Sequence, residues 1–152
     1  MAQLFWTSDL NTGIDVIDKQ HKMIVDYIND LDDVIARGKN RDRIAMVMHN
    51  LVGYTTSHFQ FEESLQEEAE YSFLKMHKKL HERFAKRVGE FQERFKLGED
   101  ISEELHNLMF NWLYVHIKSE DMDYVPSIQS NLSHQHDHTE KERGFFGSLF
   151  HK

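Results

Sequence analysis

The sequence predicts an all-α fold: an antiparallel up-down-up-down four-helix bundle with an N-terminal arm and a short C-terminal helix or tail. Three observations predict it. Apolar and histidine positions recur at alternating spacings of three and four along four segments of roughly 17 to 28 residues. The connections between those segments are short and polar, which makes consecutive helices antiparallel neighbours. The 152 residues contain one proline, so long helices run unbroken.

Residues 1–16 lack a helical period and include Thr12-Gly13, which marks them as an extended arm whose Phe5 and Trp6 pack on the bundle. The first helix carries its inward stripe at Ile17, His21, Ile24, Ile28, Leu31 and Ile35, and Arg37-Gly38-Lys39-Asn40 closes it. The second begins at Arg41 or Asp42 and aligns Ile44, Val47, Leu51, Tyr54, His58, Glu62 and Leu65. An acidic connection, Glu67 to Glu70, follows. The third places His77, His81, Phe84, Val88, Phe91 and Phe95 in register and stops at Leu97-Gly98. The fourth opens near Ser102, with Glu103 and Glu104 in its first turn where acidic groups are favourable, and repeats at Leu105, Met109, Trp112 and His116. These elements fill residues 1–130 as one domain and leave 131–152 as a C-terminal tail.

Composition removes several function classes. Without cysteine there are no disulfides, thiolate ligands, iron–sulfur clusters or cysteine nucleophiles. A net charge of −8 with 26 acidic residues argues against nucleic acid as a partner. Met1 to Ile14 lacks the basic-then-apolar build of a secretory signal, and no apolar run nears the roughly 20 residues that span a bilayer. The expectation is a cytoplasmic protein.

The 11 histidines carry the chemistry. An inward stripe should be apolar, because an unpaired polar group buried there costs roughly 2 kcal/mol or more. Here His21, His58, Glu62, His77, His81 and His116 interrupt it, and antiparallel order brings all six to one end of the bundle. His58/Glu62 and His77/His81 are each four apart, so each pair projects from one helix face about 5 to 6 Å apart. One buried histidine is ordinarily a core group satisfied by backbone or water, whereas five at one level are satisfied together by metal.

Asp121 follows His116 by five residues and points about 140° away from it in a regular helix. It joins the others only if the helix ends or loosens into a wider turn, and the run Ser119 to Asp123 before Pro126 favours an ending. Five imidazoles and two carboxylates exceed the needs of one ion, so two ions are indicated, with Glu62 and Asp121 bridging. Three histidines on one ion and two on the other leave the second with an open position for a small ligand. Imidazole-rich ligation suits iron, copper, zinc or nickel.

Four stretches resemble the hemerythrins in their single-domain bacterial form. They are Gly13 to Lys22, His58-Phe59-Gln60-Phe61-Glu62-Glu63, His77-Lys78-Lys79-Leu80-His81 and Trp112 to Asp121, within a likeness covering residues from about 4 to 130. The resemblance implies two iron ions per chain: one on His77, His81 and His116, the other on His21 and His58. Glu62, Asp121 and an oxo or hydroxo group bridge them. It implies reversible binding of molecular oxygen for carriage, storage or delivery, without catalysis. A di-iron oxidase or peroxidase, and an oxygen- or iron-sensing protein, are the alternatives. Trp112, Leu113, Ile17, Ile24 and Phe59, near the ligands, are candidates for a dry oxygen pocket, and Tyr54 is a candidate hydrogen-bond donor.

The tail falls outside the resemblance. His134, His136 and His138 alternate with polar residues as in a solvated segment, and Phe145, Phe146 and Phe150 close the chain. That end offers contact with an oxygen-consuming protein or a membrane edge, although folding back on the bundle is the simpler expectation.

Overall fold

A computed structural model describes residues 3–138. Four helices follow the order read from the spacing: α1 (Asp15–Ala36), α2 (Arg41–Glu68), α3 (Leu74–Lys96) and α4 (Ser102–Val115). Beyond α4 the chain stays helical through a π-helical segment, His116–Asp121, into α5 (Met122–His138). The fourth helix therefore widens rather than ends, and Pro126 lies inside α5. A π turn shifts the helix phase by one residue without breaking the hydrogen-bonded rod, so the chain need not stop to bring Asp121 under His116. The helical backbone also runs past residue 130 to His138. Phe145, Phe146 and Phe150 lie outside the described residues.

The turns show why consecutive helices reverse. At the end of α1 the Gly38 N–H donates to Ile35 O at 3.3 Å and the Lys39 N–H to Val34 O at 3.0 Å, with Gly38 at φ +108°. The end of α3 repeats this arrangement with Gly98 at φ +94°, and glycine enters that left-handed region without a Cβ clash. Asn40 caps α2 by accepting from the Arg43 N–H at 3.1 Å.

Burial follows the predicted stripes and divides into two apolar clusters. The larger gathers Leu31, Leu51, Val88, Leu105 and their neighbours along the bundle. The smaller, at one end, joins Ile14, Ile17, Leu65, Tyr124, Val125 and Ile128. Chain register puts His21, His58, Glu62, His77, His81 and His116 between them.

The arm packs differently from the sequence expectation. Phe5 is 77% exposed; Leu4 and Leu10 are buried in its place, and Trp6 packs half-buried against the core. The reason is local pairing. The Leu4 N–H donates to Asn29 Oδ1 at 2.8 Å and Asn29 Nδ2 donates to Leu4 O at 2.9 Å, so Leu4 is turned inward and its neighbour outward.

Candidate metal centre

Each helix delivers its residues by simple periodicity. His21 comes from the second turn of α1, His58 and Glu62 from adjacent turns late in α2, and His77 and His81 from adjacent turns early in α3. His116 and Asp121 bracket the π-helical segment, where i to i+5 pairing sets residues five apart one above the other. All seven are buried, with His21, Glu62, His116 and Asp121 fully inaccessible.

Their donor atoms form two overlapping groups, each within 4.8 Å: His21, His58, Glu62, His116 and Asp121, and then Glu62, His77, His81 and His116. Nε2 of His21 stands 2.8 Å from Asp121 Oδ2, and Nε2 of His58 stands 3.0 Å from Glu62 Oε2. On the other side, Nε2 of His77 and of His81 lie 2.7 and 3.0 Å from Glu62 Oε1. His116 Nε2 lies 3.0 Å from Asp121 Oδ1. Glu62 thus presents one oxygen to each side.

These approaches are close, yet most are not hydrogen bonds. Nε2 of His21, His58, His81 and His116 and both Asp121 oxygens are buried without a hydrogen-bond partner. Donors held about 2.1 Å from one ion at a right angle stand roughly 3.0 Å apart, which is the spacing found here. The seven residues therefore fit a metal better than they fit one another.

Three of the opposite ring nitrogens are engaged, while His21 Nδ1 has no partner among the described residues. His58 Nδ1 pairs with Gln20 Oε1 at 2.7 Å, His81 Nδ1 with Glu63 Oε2 at 2.8 Å and His116 Nδ1 with Glu120 Oε2 at 2.8 Å. Each acceptor draws the ring proton to Nδ1 and leaves the Nε2 lone pair facing inward, the tautomer a metal ligand needs. Buried Tyr124 donates its hydroxyl to Glu62 Oε2 at 3.0 Å. The hydroxyl that reaches the site is thus Tyr124's; Tyr54 packs half-buried against Tyr27, with ring centroids 5.6 Å apart.

The electrostatics favour cations. Burial alone raises a carboxylate's pKa, but the adjacent His116 and His58 outweigh it and hold Glu62 well below its ordinary range. Burial likewise pushes His116 down, and Asp121 with Glu62 more than reverses this, so that it is held well above the usual histidine value. Burial keeps His58 below that value despite Glu62. Tyr124 is pushed well up by burial beside Glu62 and Asp121 and stays a neutral donor. Two buried carboxylates call for positive charge, and a metal pair supplies it.

Of the candidate pocket residues, Ile24, Phe59 and Leu113 lie in the larger apolar cluster with Trp112 packed against it, whereas Ile17 belongs to the smaller one across the histidine layer. Phe59 stacks on His81 with centroids 3.9 Å apart, and Trp112 stacks on His116 at 4.6 Å. Sequence reasoning assigned no role to Gln20, Glu63, Glu120 or Tyr124. The one available signal was the i, i+4 spacing of His116 and Glu120; the other three pair across helices.

Residues 12–128 match the family model described as Hemerythrin HHE cation binding domain. A bacteriohemerythrin from Pseudomonas aeruginosa (strain LESB58) is 50% identical over 133 residues, covering 88% of this chain and 86% of that protein. The bacteriohemerythrin of Methylococcus capsulatus (strain ATCC 33009 / NCIMB 11132 / Bath) is 30% identical over 132 residues, 86% of this chain and 100% of the relative. A crystal structure of wild-type hemerythrin superposes with TM-score 0.79 at 29% identity, covering 84% of this chain and 98% of that one.

Proposed function

The chain belongs to the hemerythrin family, and from that premise we propose that it binds molecular oxygen reversibly at a non-haem di-iron centre, for oxygen carriage, storage or delivery and without catalysis. In this reading His77, His81 and His116 would hold one iron and His21 and His58 the other, and Glu62 and Asp121, with an oxo or hydroxo group, would be shared between them. The domain is residues 1–130, with 131–152 appended.

The observation that carries the reading is the pair of overlapping donor groups: His21, His58 and Asp121 stand on one side, His77 and His81 on the other, and Glu62 and His116 are common to both. Assigning His116 to the side of His77 and His81, as the family pattern implies, makes three imidazoles there and leaves two on the other side. Such a centre, when loaded, supplies two electrons to dioxygen and takes them back on release. The chain's own residues do the rest. Gln20, Glu63 and Glu120 hold three imidazoles in the ligating tautomer, and Tyr124 steadies Glu62 through its hydroxyl. Leu113, Ile24 and Ile17, all fully buried, exclude water from the level of the ligands; Phe59 and Trp112 do so by stacking on them. Imidazole dominance also favours binding over oxidation, because ferritin-like di-iron oxidases are rich in carboxylates.

The test is an absorption spectrum of the iron-loaded protein after reduction, oxygenation and evacuation. Bands that appear with oxygen and vanish under vacuum over repeated cycles support reversible binding. Irreversible bleaching with loss of oxygen on each cycle would show an oxidase instead.

A further inference from the structure

One helix reverses the charge of the whole chain. Of the 18 lysines and arginines, eight lie in the 23 residues of α3 against three glutamates, so α3 carries a formal +5 in a chain of −8. Six of them, Lys75, Lys78, Lys79, Arg83, Lys86 and Arg87, cluster in its first fourteen residues opposed by Glu82 alone. None of the six forms an ion pair among the described residues, and five are exposed. A helix on the surface of an acidic protein that leaves this much charge unpaired is built to meet negative charge from outside.

The same helix borders a trough. A groove of about 640 Å³ between α3 and α4 has Leu80, Phe84, Trp112 and Val115 among its walls, with Arg83 and Arg87 beside them. A second groove of about 550 Å³, walled by Phe73 and Met76, continues it by sharing Leu80 and Glu120. Phe73, Met76 and Val115 are exposed despite being large and apolar. From Phe73 to Phe91 the trough follows α3 for roughly 27 Å, five helical turns.

We propose that this trough docks an acidic amphipathic helix of a partner protein, its apolar stripe on Leu80, Phe84 and Trp112 and its carboxylates on Arg83 and Arg87, the two basic residues of α3 that line it. Charge complementarity selects an acidic occupant, and recessed apolar walls select a rod with an apolar stripe rather than a flat bilayer. Of the carboxylates in the walls, Glu104 is paired with Arg94 and Glu120 with His116 Nδ1, so among the described residues Arg83 and Arg87 face only Asp123 as an unpaired acid. The site adjoins the metal centre, because Trp112 stacks on His116 and Glu120 accepts from His116 Nδ1. A docked helix lies against both residues. The proposal does not depend on oxygen binding.

The probe is a synthetic helix of about 18 residues, leucine at i, i+3, i+4 and i+7 and glutamate elsewhere, titrated by calorimetry into the full-length protein as isolated. Saturable one-to-one binding that weakens with salt is expected. The pair Arg83→Glu and Arg87→Glu should weaken it about tenfold or more, and Met76→Gln by a smaller factor, at unchanged metal content and melting temperature. The same charge reversal at Arg37 and Arg43, exposed on other elements, should leave binding unchanged. Equal binding by the α3 variant, or equal binding of a lysine-for-glutamate peptide, overturns the proposal. So does binding of anionic vesicles or duplex DNA but not of the peptide. Self-association of the protein that the α3 variant abolishes would make the occupant a second copy, and binding that appears only after Phe145→Ser and Phe146→Ser would make it the chain's own end; either result also overturns it.

Discussion

Stripping the metal should cost the bundle a measurable part of its stability, and the structure sets the scale. Six buried side-chain atoms that face the centre lack a hydrogen-bond partner: Nε2 of His21, His58, His81 and His116, and both oxygens of Asp121. A buried unsatisfied group costs about 1 to 3 kcal/mol, so at the lower figure the set is worth roughly 6 kcal/mol. Part of that is recovered without metal, because Asp121 and Glu62 favour a charged His116 beside them. If half is recovered, about 3 kcal/mol remains, and at about 2 to 4 °C per kcal/mol for a chain this size the midpoint drops by roughly 6 to 12 °C. Scanning calorimetry of iron-loaded and chelator-stripped protein, with iron measured on both samples, reads this directly. Restoring ferrous iron should restore the midpoint by mass action. Equal midpoints in samples of verified different iron content would refute the argument that these donors are arranged for metal rather than for one another.

Acid should release the metal: ligating nitrogens must be unprotonated, so protons compete first at His116, which Asp121 and Glu62 hold above the ordinary histidine value of about 6.5, and last at His58, which burial holds below it, and metal-linked stability is lost as pH falls through that range. Iron retention against pH after dialysis checks this, and full retention well below that range contradicts it. His77→Ala and His58→Ala should each lose iron, partly or wholly, whereas Leu113→Ala should keep both irons and speed decay of the oxygenated absorption band by admitting water; full iron retention in both histidine variants would refute the ligand assignment. Glu120→Ala, which frees the His116 ring at Nδ1, should weaken iron binding about 10- to 100-fold in competition with a chelator. Tyr124→Phe removes only the hydroxyl that donates to Glu62; iron should stay while the loaded protein loses about 1.5 to 3 kcal/mol in denaturant unfolding.

How much of this could be read from the sequence follows from where each residue leaves a trace. A polar side chain on an inward stripe violates the apolar period of its own helix, so His21, His58, Glu62, His77, His81 and His116 are visible one helix at a time, and short connections then fix their common level. Their hydrogen-bond partners leave no such trace. Gln20 serves a histidine on α2, Glu63 one on α3 and Tyr124 a carboxylate on α2, and all three pairings depend on the rotation of one helix against another. His106 shows the converse. It is buried with both ring nitrogens unpartnered, yet belongs to neither donor group, so burial of an imidazole does not by itself mark a ligand.

The π-helical segment stands between these cases. The five-residue interval from His116 to Asp121 conflicts with an α-helical phase, and a conflict of that kind limits the chain to two outcomes: the helix stops, or it widens. Pro126 favoured the first, because a residue before proline is disfavoured in the α region. Packing decides for the second. Tyr124, Val125 and Ile128 must continue as one face to close the smaller apolar cluster over Ile14, Ile17 and Leu65, and a break at Asp121 would leave that face without a helix to carry it. One widened turn, with its weaker hydrogen bonding, keeps α5 in place and sets Asp121 Oδ1 3.0 Å from His116 Nε2. Local preference before a proline is worth less than burial of three large side chains, each about 1.5 to 3 kcal/mol, and that balance cannot be read from the spacing until the packing partners are known.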